Sequence, residues 1–167
     1  LAGYIPQKII LGDIDSAREH AIKLERIFGK GNFYLELQDH GIADQKTVNN
    51  GILSLSHETG IPMVATNVVH YIRKSDAEVQ SVLLCIQTNS RITDGRPIGF
   101  ETDEFYYKST EEMRSLFSEY EGAIENTVKI AEMCNFDFVF GKTLLPRYKP
   151  EDKTAPAAFL RRLALDG

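Results

Sequence analysis

Helix-like and strand-like segments alternate along the first half of this 167-residue chain, and no other feature of the sequence constrains the fold as strongly. Apolar residues recur every three or four positions in the predicted helices, whereas the segments between them are short and rich in aliphatic and aromatic residues. The order is helix, strand, helix, strand, helix, over residues 13–28, 33–38, 44–59, 63–66 and 75–86. Such alternation is typical of a parallel sheet or barrel covered by helices, so the predicted fold class is α/β.

Residues with capping chemistry set the predicted ends of these helices. Asp13 is a good N-cap for the first helix, and Gly60 is placed to end the second in a left-handed conformation. Residues 75–78 and 109–112 both follow the pattern Ser-x-x-Glu, which predicts a capping box at the start of a helix.

The second half of the chain has a less regular predicted order. We expect a loop over residues 88–102, a short extended segment over 104–108, and a linker over 146–153 that leads into a helix. A further helix is predicted to bury one stripe, formed by Ile124, Val128, Ala131 and Cys134. Phenylalanine alternates with aspartate and valine over residues 136–140, which predicts a strand.

Charge is distributed unevenly along the chain. The net charge is −5, and the residues from Lys142 onward carry +3, which leaves −8 for residues 1–141. This acidic balance argues against a freestanding nucleic-acid binder, whereas the basic tail suits either an acidic neighbour or a plain solvated linker. Cys85 and Cys134 are too few for a disulfide framework and are expected to be buried thiols in a reducing cytoplasm. We expect no membrane span and no signal peptide.

Polar side chains follow both predicted strands of the first half, where ligands of parallel α/β folds bind. They are Glu36, Gln38, Asp39 and His40 after the first strand, and Thr66, Asn67 and His70 after the second. Imidazole and carboxylate groups are the usual ligands of zinc and manganese, so one interpretation places His40 and His70 on the rim of a metal site. The alternative is a pair of loop histidines with hydrogen-bonded partners. His20 and His57 fall on predicted solvent faces and receive no role.

Several catalytic patterns are missing from the sequence. It contains no serine elbow, no phosphate-binding glycine loop and no helical His-Glu-x-x-His motif. No group of aspartates is nominated for a two-metal nucleotidyl-transfer site, so no catalytic residue is predicted.

Short segments spread over nearly the whole chain together resemble one family. They are Leu1-Ala2-Gly3, FYLELQDHG at 33–41, GIPMVATNVVHY at 60–71, LLCIQT at 83–88, FETDEFY at 100–106, AIENTVKIAEMCN at 123–135 and Leu145-Pro146. In order and spacing they are similar to the second half of the polymerase-and-histidinol-phosphatase (PHP) domain in the alpha subunits of bacterial DNA polymerase III. The resemblance implies part of a distorted (β/α)7 barrel, a member of a replicative polymerase family, and a chain that is one piece of a longer protein.

The resemblance also implies a degenerate metal site. Metal-binding members of the family read Thr-Asn-Asp-x-His after the strand at 63–66, whereas this chain has Val68 at the aspartate position and keeps His70. Tyr4 likewise stands where an acidic residue is usual. Zinc or manganese binding is therefore expected to be weak or lost, with His70 as the residual ligand position and His40 as a second candidate, while Mg²⁺ would serve the parent polymerase outside this chain.

The implied organisation is a PHP segment over residues 1–141 with a loop insertion at about 88–103, a linker over 142–154, and the start of a polymerase-core helix over 155–167. The implied function is a scaffold and partner-docking segment, itself non-catalytic, of a cytoplasmic DNA-directed DNA polymerase. The implied partners are the rest of the alpha chain, a proofreading exonuclease subunit, and DNA through the parent enzyme. The alternatives are a metal-dependent phosphoesterase or 3′–5′ exonuclease, and an independent histidinol phosphatase. Since half a barrel exposes strand edges, we also expect a marginal or self-associating fragment.

Overall fold

The computed structural model describes residues 1–94, 99–146 and 148–167. Within these residues, the predicted α/β class is confirmed, as the chain combines helices with a pair of parallel strands. The helices are α1 (Tyr4–Ile10), α2 (Ile14–Phe28), α3 (Ala43–Thr59), α4 (Ala77–Thr88), α5 (Thr110–Leu116), α6 (Glu125–Met133) and α7 (Pro156–Asp166), and the strands are β1 (Leu35–Leu37) and β2 (Met63–Ala65). Two short 3-10 helices, Lys74–Asp76 and Ile92–Asp94, precede and follow α4.

The strands β1 and β2 pair in parallel, with Leu35 opposite Met63 and Leu37 opposite Ala65. The side chains of these four residues are buried, because alternate positions of both strands point to the same face of the sheet. A parallel pair needs a crossover connection, and α3 provides it. The described residues form this two-stranded sheet and not a closed barrel.

Small residues allow the first three helices to pack closely against one another, and α3 packs against both strands. Ala17 and Ala21 of α2 are fully buried, and a Cβ atom added at Gly51 of α3 would lie 2.5 Å from Cγ2 of Ile9 in α1. The core that these helices share with the sheet also contains Val48, Ile52, Leu55, Ile61, Phe117 and Ala123.

The predicted caps are confirmed at three positions. The Asp13 carboxylate accepts the Ser16 N–H at 3.2 Å at the start of α2, and Gly60 ends α3 with φ 74°. Ser109 and Glu112 form the reciprocal capping box of α5. The predicted box at residues 75–78 is wrong, because the Asp76 carboxylate instead accepts the Arg73 N–H, and a 3-10 turn intervenes before α4.

The side of α6 that the structure buries is not the side that was predicted. Val128 is 58% exposed and Cys134 is also exposed, whereas Asn126 is buried. Helical spacing shows that apolar residues share a stripe, but it does not show which stripe meets the core. Cys85 is buried as expected.

The strand predicted at residues 136–140 does not form. Phe136, Phe138 and Phe140 are 76%, 74% and 89% exposed and contact one another through their rings. Alternation supplies a strand with two distinct faces, yet a strand also needs a neighbouring edge to which its backbone can bond. The helix α1, in contrast, is present without having been predicted.

The chain divides into two units, Leu1–Cys134 and Asn135–Gly167. In the second unit, Tyr148 lies against Phe159 of α7, and Arg162 bonds to Asp152 at 2.6 Å. This hydrogen bond lowers the pKa of Asp152 to about 2. The domain boundaries predicted from the sequence stay a prediction, and residues 95–98 of the expected loop and 147 of the expected linker lie outside the described residues.

Candidate functional site

The segments that follow β1 and β2 lie side by side, because parallel strands end at the same edge of a sheet. The Thr66 hydroxyl donates to the Glu36 carboxylate at 2.6 Å, and the Gln38 amide donates to the Thr66 hydroxyl at 3.4 Å. The N–H of Val68 donates to Nε2 of His40 at 3.1 Å. Polar groups predicted after separate strands are therefore bonded across the two strand ends, in one group formed by Glu36, Thr66 and Gln38 and in a second contact between His40 and the Val68 backbone.

His40 is 1% exposed and makes a separate set of contacts. Its backbone N–H donates to Oε1 of Gln45 at 2.7 Å, and its Nδ1 lies 3.0 Å from the side-chain amide of the same residue. Its carbonyl accepts the Thr102 hydroxyl at 2.5 Å. The imidazole stacks on Phe105, with ring centres 4.5 Å apart and planes 7° from parallel. Both ring nitrogens of His40 therefore have polar neighbours, and Phe105 covers one face of the ring.

The surroundings of His40 favour the neutral imidazole. Burial lowers the pKa of His40, and the positive charge of Lys108 lowers it further. The Val68 N–H can only donate, so Nε2 must present a lone pair to it. Protonation would place a second N–H at Nε2 opposite that donor and would break the hydrogen bond.

This arrangement predicts that the chain loses stability in mild acid. The unfolded chain takes up a proton on His40 as the pH falls below about 6.5, whereas the folded chain resists it because its pKa is lower. The free energy of unfolding is expected to fall by up to about 1.4 kcal/mol per pH unit until the pH reaches the folded-state pKa. Above about pH 6.5 the contribution of His40 is constant.

Denaturant unfolding at a series of pH values measures this effect. His40→Gln, which cannot titrate, should give a flatter dependence over this range, while the matched variant His57→Gln, on an exposed position of α3, should keep the steeper one. If the free energy of unfolding had the same pH dependence in the original chain and in His40→Gln, the acid effect could not be attributed to His40.

His70 lies on the same aromatic cluster but is exposed. The centre of its ring lies 4.3 Å from that of Phe100 and 5.7 Å from that of Phe105, the latter in an edge-to-face arrangement. The backbone N–H of His70 donates to the Phe105 carbonyl at 2.8 Å. Phe105 therefore contacts both histidines. The structure brings the two predicted site residues to one aromatic cluster.

Charged residues behind this cluster are paired with each other. Lys108 is buried and bonds to the carbonyl and the carboxylate of Glu104, which Lys74 also contacts. The hydrogen bond from Lys74 is the largest cause of the lowered pKa of Glu104. Tyr106 donates to Glu112 at 2.7 Å, which raises the pKa of the phenol to about 12. These groups fix the extended segment whose Tyr106 pairs with Tyr71.

Several polar residues that hold the site were not predicted from the sequence. Gln45 and Asn49 of α3 are buried, and Asn49 donates to the Gln38 carbonyl at 3.0 Å. Both occupy positions that helical periodicity marks as facing the core, so a polar residue on an otherwise apolar stripe was the available signal. Tyr4, the other departure from the family pattern, packs against His20 in a tilted arrangement with ring centres 4.4 Å apart.

The donor set at the strand ends does not fit a metal ion in this arrangement. Nε2 of His40 accepts the Val68 N–H, so a metal at that nitrogen would displace the hydrogen bond. In the described ranges, no three His, Cys, Asp or Glu side chains are placed to share an ion. The side chain of Val68 offers carbon alone.

Comparison with known proteins identifies what this chain is related to. No family model matches it. Curated proteins match it over its whole length, and in each case the match is one segment of a much longer polypeptide. These relatives are DNA polymerase III alpha subunits, so the predicted resemblance to alpha subunits is confirmed, whereas its placement in the PHP domain stays a prediction.

Three relatives give the extent of the match. The subunit of Borreliella burgdorferi is 39% identical over all of this chain, which covers 15% of that subunit. The subunits of Treponema pallidum and Thermus aquaticus are 39% and 38% identical, again over all of this chain, which covers 14% of each. The chain therefore spans about one-seventh of the relatives that it matches. Within the part of the chain that the structure describes, no helix has the length and apolar character needed to cross a membrane.

Proposed function

We propose that this chain is a scaffold segment of a DNA polymerase III alpha subunit, a DNA-directed DNA polymerase of bacterial replication. The similarity to alpha subunits over the whole chain carries this proposal. The segment itself is non-catalytic: its strand ends hold a network of satisfied hydrogen bonds, and the sequence nominates no set of converging carboxylates. Nucleotidyl transfer, with its Mg²⁺ and its DNA contacts, belongs to other parts of the subunit, and the protein works in the cytoplasm.

The segment is further proposed to be half of a PHP-type barrel whose metal site has degenerated. Val68 replaces the aspartate of the family pattern, and its N–H occupies the nitrogen of His40 that a metal would need. Stacking on Phe105 and burial keep His40 in a structural role. The barrel then serves as a support for the rest of the alpha chain and for a docked proofreading exonuclease subunit.

Metal analysis of the complete alpha subunit tests this proposal. We expect substoichiometric zinc and manganese after purification without chelators. We expect His70→Ala to leave both the metal content and the rate of primer extension within about twofold of the original. For the rate, twofold corresponds to a change in activation free energy of less than about 0.5 kcal/mol. His57→Ala, on the exposed surface of α3, is the matched control for replacing a histidine.

A metal-dependent phosphoesterase or exonuclease is the second candidate, because His70 is exposed at the position where the family pattern has a ligand. Stoichiometric bound metal, or manganese-dependent phosphodiester hydrolysis that His70→Ala abolishes, would establish that activity and overturn the scaffold proposal. A complete subunit that fails to extend a primer would overturn the assignment to a polymerase.

A further inference from the structure

One irregular segment of the chain contacts the segments that follow both strands. It comprises residues 100–106 and is here called the strap. After β1, the His40 carbonyl accepts the hydroxyl of Thr102 in the strap at 2.5 Å. After β2, the side-chain amide of Asn67 donates to the carbonyl of Tyr106 in the strap at 2.9 Å. The strap therefore connects the two strand ends, which is where ligands bind in parallel α/β folds.

The strap shields the imidazole of His40. A segment that follows a strand ordinarily lies at the protein surface, yet His40 is 1% exposed. Phe105 of the strap, itself 8% exposed, stacks on the imidazole with ring centres 4.5 Å apart. Withdrawal of the strap would remove this cover, so the access of a small reagent to His40 reports whether the strap is closed.

The strap is held less firmly than the core. It contains no helix and no strand beyond the single pairing of Tyr106 with Tyr71, and its Asp103 is exposed. Phe105 is the one buried side chain in the strap. A segment with so few buried apolar contacts opens at a lower free energy than global unfolding requires. We therefore expect the strap to open while the core around β1 and β2 stays folded.

Lys74 connects the strap to the segment after β2 through two ion pairs. It lies in the 3-10 helix Lys74–Asp76 and contacts the Glu104 carboxylate, and its Nζ is 3.5 Å from Oδ1 of Asp103. The Lys74 side chain is 51% exposed, so dissolved salt screens both pairs. Lys108 also bonds to Glu104, but it lies two residues beyond the strap in the same extended segment. Lys74 therefore supplies a salt-sensitive contribution to closure of the strap.

We propose that the strap is a gate over the carboxyl ends of β1 and β2, and that the ion pairs of Lys74 with Asp103 and Glu104 hold it closed. In the closed state the strap keeps water and small molecules from the His40 imidazole. Screening of the Lys74 pairs shifts the strap toward the open state, in which the strand ends are accessible. This gate is a property of the fold beyond the proposed scaffold function and does not depend on it.

Modification of histidines by diethyl pyrocarbonate tests the gate in the complete alpha subunit. The rate at His40 is measured by peptide mass spectrometry at about pH 7.5, where imidazoles are neutral, and exposed His57 is the internal control. Raising the salt concentration from about 0.1 M to about 1 M shortens the screening length from about 10 Å to about 3 Å. This change should speed the reaction of His40 about two- to fivefold. Lys74→Met should be faster by about the same factor already at the lower salt concentration and should lose the salt dependence.

Two further variants separate the charge of Lys74 from general destabilisation. Lys74→Arg keeps the positive charge, so its His40 should react within about 1.5-fold of the original rate. Lys8→Met is the matched control, because it breaks an ion pair of 2.7 Å with Asp13, which lies between α1 and α2. Its His40 should also react within about 1.5-fold of the original rate.

Each other outcome overturns the gate. A His40 rate that equals the His57 rate at the lower salt concentration would mean that the strap is not closed. An equal acceleration in Lys74→Met and Lys8→Met would mean that the reagent reaches His40 through unfolding. A His40 rate that neither salt nor Lys74→Met changes would mean that Lys74 does not hold the strap. Neither metal content nor primer extension enters this readout, so failure of the gate is distinguishable from failure of the proposed function.

Discussion

Replacing Phe117 by alanine should lower the free energy of unfolding by about 3–5 kcal/mol, which is a large part of the stability of a domain of this size. The ring is 2% exposed and belongs to the core that β1, β2 and α3 share. It also contacts Tyr120, with ring centres 6.1 Å apart. The substitution removes a large apolar group and leaves a cavity that neighbours on several elements cannot all fill.

Denaturant unfolding followed by far-UV circular dichroism measures this loss, with Phe140→Ala as the matched control. Phe140 is 89% exposed in the second unit, so its truncation should change the free energy of unfolding by less than about 0.5 kcal/mol. Similar losses for the two variants would mean that the core does not lie where the structure places it.

The contrast between these two phenylalanines also marks what could be predicted from the sequence. Helices α2 and α5 were predicted with their N-caps, because an N-cap side chain and the N–H group that it bonds are three residues apart. The end of α3 was predicted from Gly60, because glycine adopts the left-handed conformation without strain. Residues 136–140 have the alternation of a strand, but the partner edge is not a local property of the sequence. Burial of Phe117 and exposure of Phe140 depend on which elements meet, and that information is absent from their own neighbourhoods.

For the candidate site, too, the sequence predicts the local placement of the residues but not the contacts between distant segments. The sequence places His40 and His70 after two strands, and parallel pairing brings those strand ends together. It gives no indication that a backbone N–H from Val68 reaches the His40 ring, or that Phe105, distant in the chain, contacts both imidazoles. These contacts depend on the fold as a whole, and they decide whether a histidine is a ligand or a support.

Asn126 shows how a polar residue can close the outer edge of the sheet. Its side-chain amide donates to the Met63 carbonyl at 2.7 Å, and the Ala123 carbonyl accepts the Ala65 N–H at 3.0 Å. The outer edge of β2 is therefore bonded to the residues around the start of α6, although half a barrel was expected to leave strand edges open. Asn126 itself is 8% exposed, so its hydrogen bond is shielded from water.

Asn126→Asp should therefore cost about 1–3 kcal/mol, because it replaces a buried donor by a carboxylate that faces a carbonyl oxygen, while the Lys129 ammonium, 3.1 Å from Oδ1 of Asn126, offsets part of the buried charge. The two side chains have nearly the same shape, so the loss reports the hydrogen bond and the buried charge instead of a cavity. We expect the variant to self-associate in light scattering as the β2 edge becomes available to another chain. Asn50→Asp, on an exposed position of α3, should change stability by less than about 0.5 kcal/mol and leave the mass unchanged. An original chain that already self-associates as strongly as Asn126→Asp would contradict the edge closure, since the outer side of β2 would then be open before the amide is removed.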